Sequence, residues 1–136
     1  MSQENVQIVR AAYEEFAKGN LRDSLSLYDP LILFIPITDF PAADHYLRPE
    51  GLSAFMREYL TSWAKNFTMT AEELIEAESS VVVAVRQRGV GRESGVPSEI
   101  RYFEVWTFRG RSVIRIEQFR ERADALEAVG LSERGG

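Results

Sequence analysis

Glu104 lies in the run "RYFEVWTF", residues 101–108, where a period of two puts Ile100, Tyr102, Glu104, Trp106 and Phe108 on one side of a strand. The other side carries Glu99, Arg101, Phe103, Val105, Thr107 and Arg109. A carboxylate at the centre of an apolar side must be hydrogen-bonded, ion-paired or protonated, because an unpartnered charge there is costly. A carboxyl that can exchange its proton near neutral pH suits general acid or base work. Two readings stay open. Glu104 lines a pocket and transfers a proton, or it is structural: paired with Arg86, Arg88, Arg115 or Arg120 of a neighbouring strand, or turned outward by a bulge.

A second cluster of reactive groups falls in residues 36–48, a proline-rich stretch with Asp39, Asp44, Tyr46 and the single histidine, His45. His45 is a candidate for proton transfer, since the adjacent Asp44 could orient its imidazole, and Asp39 is a separate candidate carboxylate. The same residue types also serve turns, helix caps and solvated surface. Tyr13, Tyr59, Trp63, Tyr102 and Trp106 form an aromatic set on faces that pattern as core. Such rings can simply pack, or they can surround a flat organic ligand, with the Tyr13 or Tyr102 hydroxyl polarising an oxygen. Gln118 shares a strand face with Ile114 and Ile116 and could add an amide contact. One histidine and no cysteine make a zinc site implausible, and no phosphate-binding glycine loop or dinucleotide fingerprint is present. No cofactor and no metal are expected. The charged stretches "RQRGVGR" and "RGRS" read as a solvated face or cross-strand ion pairs.

Helices and strands must hold these groups. Val6, Val9, Tyr13, Phe16 and Ala17 recur at helical spacing from Ser2, and Gly19-Asn20 supplies a stop. A short second helix is expected through Leu21, Leu25 and Tyr28, then a buried strand at "LILFI". Leu52, Phe55, Met56, Tyr59 and Trp63 give the stripe of a third helix. After Asn66 the period changes to two, with Phe67, Met69, Ala71, Ile75 and Ala77 on one side. "ESS", "RESGVPS" and "RGRS" separate four strands, and a last short helix over 123–129 stops at Gly130. The sum is an α+β domain, an antiparallel sheet with helices on one face. Val81 to Val85 is apolar on both sides, which suggests a second copy of the chain on the outer sheet face, a homodimer.

The 136 residues are enough for one domain, 1–136, with its own core. A net charge of −5 speaks against a nucleic-acid surface. No apolar run reaches the ~18 residues of a membrane span, and the polar start "MSQENVQ" is unlike a signal peptide, so a cytoplasmic location is expected.

"NVQIVRAAYEEFAKGNLRDSLSLYDP", "EELIEAESSVVVAVRQRGVGRESGV", "EVWTFRGRSVIRIEQF" and "RADALEAVGL" resemble the SnoaL-like, or ketosteroid-isomerase-like, proteins of the nuclear transport factor 2-like superfamily. The resemblance covers nearly the whole chain. It implies a cone-shaped, strongly curved, mostly antiparallel sheet packed on the N-terminal helices, with an apolar pocket at the wide end and dimers through the outer face. That fold hosts isomerases, dehydratases, epoxide hydrolases, polyketide cyclases and non-catalytic binding modules. The steroid isomerases' own triad does not carry over, because its positions fall near Pro36, Ala12 and Arg101. At Glu104 the similar SnoaL-like sequences usually hold histidine. The expected function is therefore a cofactor-independent acid–base enzyme, polyketide-cyclase-like or isomerase-like, acting on a small hydrophobic molecule. The alternative is a binding or dimerisation module of the same fold.

Overall fold

Helical spacing at the start of the chain produces α1, Ser2–Ala17, which buries Val9, Ala12 and Tyr13 and leaves Gln3, Gln7, Arg10 and Glu14 exposed. The computed structural model describes residues 2–17, 28–35, 37, 46–47, 63–91 and 94–131. Strand β1 (Tyr28–Ile35) is followed by the two-residue β2 (Tyr46–Leu47) and by the long strands β3 (Trp63–Ala77), β4 (Ser80–Gly91), β5 (Pro97–Arg109) and β6 (Ser112–Phe119). The last element is helix α2, Arg122–Ala128.

Two helix ends expected from spacing are strands instead. Tyr28 opens β1, and Trp63 opens β3, where it pairs with Gly91 of β4. Aromatic residues fit a pleated surface well, so partner strands override a helical spacing extended one position too far. Leu21, Leu25, Leu52, Phe55, Met56 and Tyr59 lie outside the described residues.

The sheet order is β2-β1-β6-β5-β4-β3. The expected meander of β3 to β6 is antiparallel throughout, while β1 joins the other side of β6 in parallel. The sheet is thus mixed rather than wholly antiparallel, and β6 becomes an interior strand. Register shifts interrupt β3 between Ala71 and Glu73, and the β5–β6 ladder between Thr107 and Phe108. Such irregularities bend a strand and increase its twist. The shift in β3 also changes which side its residues face: Met69 and Leu74 pack with the α1-side core, whereas Ile75 packs on the opposite side. Straight alternation would put Ile75 with Met69.

Helices of this chain pack on both sheet faces. Val81, Val83 and Val85 join Tyr102, Trp106 and Phe108 in a core against α1. Val82 and Val105 point the other way and pack under Ala125 and Leu126 of α2. The outer-face valine that suggested a second copy is therefore fully buried by the chain's own C-terminal helix, which corrects the expectation of helices on one face only. Full burial of one such side chain is worth about 1.5–3 kcal/mol.

Helix α2 ends as Gly130 promised. Gly130 has φ 81, and the amides of Gly130 and Leu131 bond back to the carbonyls of Glu127 and Leu126 at 3.0 and 2.9 Å. This left-handed stop satisfies carbonyls that the helix end would orphan and lays Leu131 on the apolar cluster. An ion pair ties the other end of α2 to the sheet, with Arg122 donating to both oxygens of Glu73 on β3. The Arg122 hydrogen bond holds the Glu73 carboxyl below its ordinary value of 4.5, against a smaller opposing desolvation. A depressed carboxyl stabilises the folded state above its unfolded pKa and loses that contribution as pH falls through the folded value. Both partners are more than a third exposed, so solvent screening limits the pair to about 0–1 kcal/mol. The protection of α2 amides against exchange, relative to their intrinsic rates at each pH, should therefore fall slightly as pH drops below 4.5, and Glu73→Gln should remove that acid sensitivity.

Candidate functional site

Glu104 points inward. It sits on β5 opposite Val83 of β4 and Gln118 of β6, and only 4% of it is exposed. Three neutral donors converge on its carboxylate. Oε1 accepts from the Tyr13 hydroxyl of α1 and from the Trp106 indole Nε1 at 2.9 Å, and Oε2 accepts from Gln118 Nε2 at 2.9 Å. A carboxylate offers about four lone-pair positions, so these donors replace most of the water that a charged group surrenders on burial.

Each donor is positioned by a separate piece of local logic. Trp106 is two residues beyond Glu104 on the same strand, so its ring lies on the same face. Tyr13 comes from the buried stripe of α1, and its ring meets that of Trp106 with centroids 5.8 Å apart and planes at 49°. Gln118 stands directly across from Glu104, and its own Oε1 accepts from the backbone N–H of Ile37 at 3.1 Å.

The arginines that might have neutralised Glu104 are engaged elsewhere. Arg86 pairs with Glu72 at 3.5 Å, Arg88 with Glu99 at 2.7 Å and Arg115 with Glu117 at 2.6 Å, while Arg120 is exposed. Arg101 bridges Glu72 and Glu99, which completes a charged ladder across the outer side of β3, β4 and β5. Cross-strand pairing thus accounts for Arg86 and Arg88 of "RQRGVGR". The Arg88 hydrogen bond, helped by Arg101, holds Glu99 below the usual carboxylate range.

Tyr102 lies two residues before Glu104 on the same face, 2% exposed, and donates its hydroxyl to Gln87 Oε1 at 3.1 Å. Sequence reasoning missed Gln87 by reading the basic run for its charges alone, although Gln87 is 1% exposed. The signal was available, because Gln87 extends the alternation Val81, Val83, Val85 onto the same inward face. It also missed the backbone of Ile37, which no side-chain pattern reveals. Of the candidate residues, Glu104, Tyr13, Trp106 and Gln118 form one hydrogen-bonded group, and Tyr102 pairs with Gln87 beside it. Trp63 begins β3. Asp39, His45 and Tyr59 lie outside the described residues. A groove of about 510 Å³ lined by Gln3, Glu4, Gln7, Ile8 and Arg111 opens at the start of α1 and shares no residue with the Glu104 group.

The parallel insertion of β1 beside β6, a helix laid across the inner face and a meander of long strands form one recognisable plan. The model of the SnoaL-like domain matches residues 9–116. The chain belongs to the SnoaL-like family. Among solved structures, this SnoaL-like chain is similar to a nuclear transport factor 2-like protein of unknown function from Burkholderia pseudomallei K96243, at 19% identity over 93% of this chain and 97% of that one, with a TM-score of 0.74. It is similar also to a candidate SnoaL-like polyketide cyclase from Jannaschia sp. CCS1, at 18% identity over 93% and 92%, with a TM-score of 0.75. A protein of ketosteroid-isomerase-like fold from Catenulispora acidiphila DSM 44928, in complex with trimethylamine, shares 14% identity over 95% and 96%, with a TM-score of 0.71. At these identities the likeness establishes the shared α+β fold. A search of curated proteins returns no significant match. Arg101 of this SnoaL-like chain projects outward into the ion-pair ladder. Among the described residues, no helix is long and apolar enough to cross a membrane.

Proposed function

We propose that this SnoaL-like protein is a cofactor-independent acid–base catalyst acting on a small hydrophobic organic molecule held beside Glu104, of the polyketide-cyclase or isomerase type. The observation that carries this reading is a buried carboxylate held by neutral donors, with no arginine or lysine of the described residues paired to it. A carboxylate clamped by arginine is held in its charged form and serves structure. One held by a phenol, an indole and an amide can take up and release a proton without breaking an ion pair. In this reading Glu104 is the acid–base group and Tyr13 its hydroxyl partner. Tyr59, Trp63, Tyr102 and Trp106 shape the apolar wall, and Asp39 and His45 supply the second proton-handling group. The family likeness supports it, since one similar structure is described as a candidate polyketide cyclase.

A second reading is a binding module without turnover. It is favoured by the outward, ion-paired placement of Arg101, which leaves one position of the steroid-isomerase triad without its acid. A panel of small hydrophobic ketones, epoxides and cyclisable polyketone mimics incubated in heavy water separates the two. Proton NMR should show deuterium entry or rearrangement of at least one compound with the native protein. Saturable binding of panel members with no exchange or rearrangement of any would favour the module and remove the catalytic reading.

A further inference from the structure

We propose that Gln118 is a positioning residue that decides which oxygen of Glu104 exchanges a proton, keeping Oε2 as a standing acceptor and leaving the contact between Oε1 and the Tyr13 hydroxyl as the exchange point. This inference rests on the acid–base reading of Glu104 and specifies where in that site the proton moves.

The two ends of a glutamine amide have the same shape and opposite hydrogen-bonding character. A backbone N–H can only donate, so the Ile37 amide selects Gln118 Oε1, at 3.1 Å. The NH₂ group is thereby turned towards Glu104 Oε2, at 2.9 Å. A flipped amide would set NH₂ against N–H and oxygen against carboxylate oxygen. It would lose two buried hydrogen bonds at once, which disfavours the flip more than about tenfold. The Trp106 indole N–H is likewise donor-only, and it addresses Oε1. Among the three partners only the Tyr13 hydroxyl can change from donor to acceptor. A proton arriving on Glu104 is therefore accommodated at Oε1, donated towards the tyrosine oxygen.

The transfer balances as a relay. The Tyr13 oxygen receives a proton from the substrate while the tyrosine's own proton passes to Oε1. The carboxylate becomes neutral, the tyrosine is regenerated, and the electron pair of the broken bond stays on the substrate. Gln118, which the sequence offered as a ligand contact, becomes instead the residue that keeps the other oxygen out of the reaction.

Three variants test this: Gln118→Met, which keeps the side-chain length without the amide; Gln118→Glu; and the exchanged pair Glu104→Gln with Gln118→Glu. In Gln118→Met the Ile37 amide should exchange with solvent at least about tenfold faster. The low-field proton resonance of the Tyr13–Glu104 hydrogen bond should also move. In Gln118→Glu the Ile37 amide stays protected by the new carboxylate, but an acceptor replaces the donor at Oε2, so that resonance should again move. Any deuterium exchange of substrate in Gln118→Met should fall about tenfold at saturation, with half-saturation changed less than about twofold. The exchanged pair satisfies every donor again. Its amide, now on β5, accepts from Tyr13 and Trp106 and gives its NH₂ to the carboxylate, now on β6, which also accepts from Ile37. The pair should recover Ile37 protection and yet remain inactive, because the carboxylate no longer touches Tyr13. Unchanged Ile37 exchange with an unmoved resonance in Gln118→Met would overturn the proposal, as would a loss confined to half-saturation. If the native protein turns over no compound, the Ile37 and low-field resonances still decide the role of Gln118, and the failure belongs to the acid–base reading alone.

Discussion

Glu104→Gln should lower proton transfer to any responsive substrate by at least about a hundredfold, since a positioned acid or base contributes that much or more. The same change should cost the fold about 1–3 kcal/mol, the penalty of a buried group left without its partner. The reason is geometric. One end of the new amide can accept from Tyr13 and Trp106, but its NH₂ then meets the NH₂ of Gln118, which the Ile37 amide holds in place. An exposed glutamate would lose nothing when made neutral, so the stability measurement is informative without a substrate. Urea unfolding followed by tryptophan fluorescence gives the stability, and the heavy-water assay gives the rate. A variant as stable and as active as the native protein would show that the carboxylate is neither buried by design nor used.

Trp106→Ala should be the most destabilising single truncation at the site, at about 3–5 kcal/mol. The ring is 1% exposed, lies across from Val81 and Ile116, and packs obliquely on Tyr13. Its removal leaves a cavity between α1 and the sheet and strips one donor from Glu104 in the same step. Domains of this kind are stable by only about 5–15 kcal/mol, so the alanine variant approaches the threshold for folding. Trp106→Phe separates the two effects, because it keeps most of the packed volume and removes only the N–H. Its loss should be about 1–3 kcal/mol, appropriate to an orphaned buried acceptor. Denaturant midpoints for the two variants provide the check. Equal losses would mean that the hydrogen bond, and not the volume, dominates.

Most of the sheet was legible in the chain itself, because period-two alternation is a property of consecutive residues. The inward set of Tyr102, Glu104, Trp106 and Phe108 is read directly from "RYFEVWTF", and their burial follows. Turn residues marked the hairpins in the same local way, and Gly130 marked the end of α2. What resisted reading depends on residues far apart. Nothing near Glu104 says that Tyr13 and Gln118 will be its donors, and a short apolar run such as "LILFI" does not reveal a parallel partner. The cover over Val82 comes from α2, more than forty residues later in the sequence, so the valine run read alone does not show which element packs on it. The irregularity in β3 could not be placed from alternation either, since one inserted residue silently exchanges the two faces.

The parallel seam between β1 and β6 sets an order of assembly. The meander from β3 to β6 closes through short hairpins, whereas Tyr13 reaches Glu104 across 91 positions and Ile37 reaches Gln118 across 81. Closing such spans costs more chain entropy and slows folding relative to local pairing. The hairpins should therefore assemble first, with the acidic group still hydrated, and the N-terminal segment should dock afterwards. Trp106 and Gln118 come with the hairpins, so full dehydration of that carboxylate is postponed only until Tyr13, its last donor, arrives.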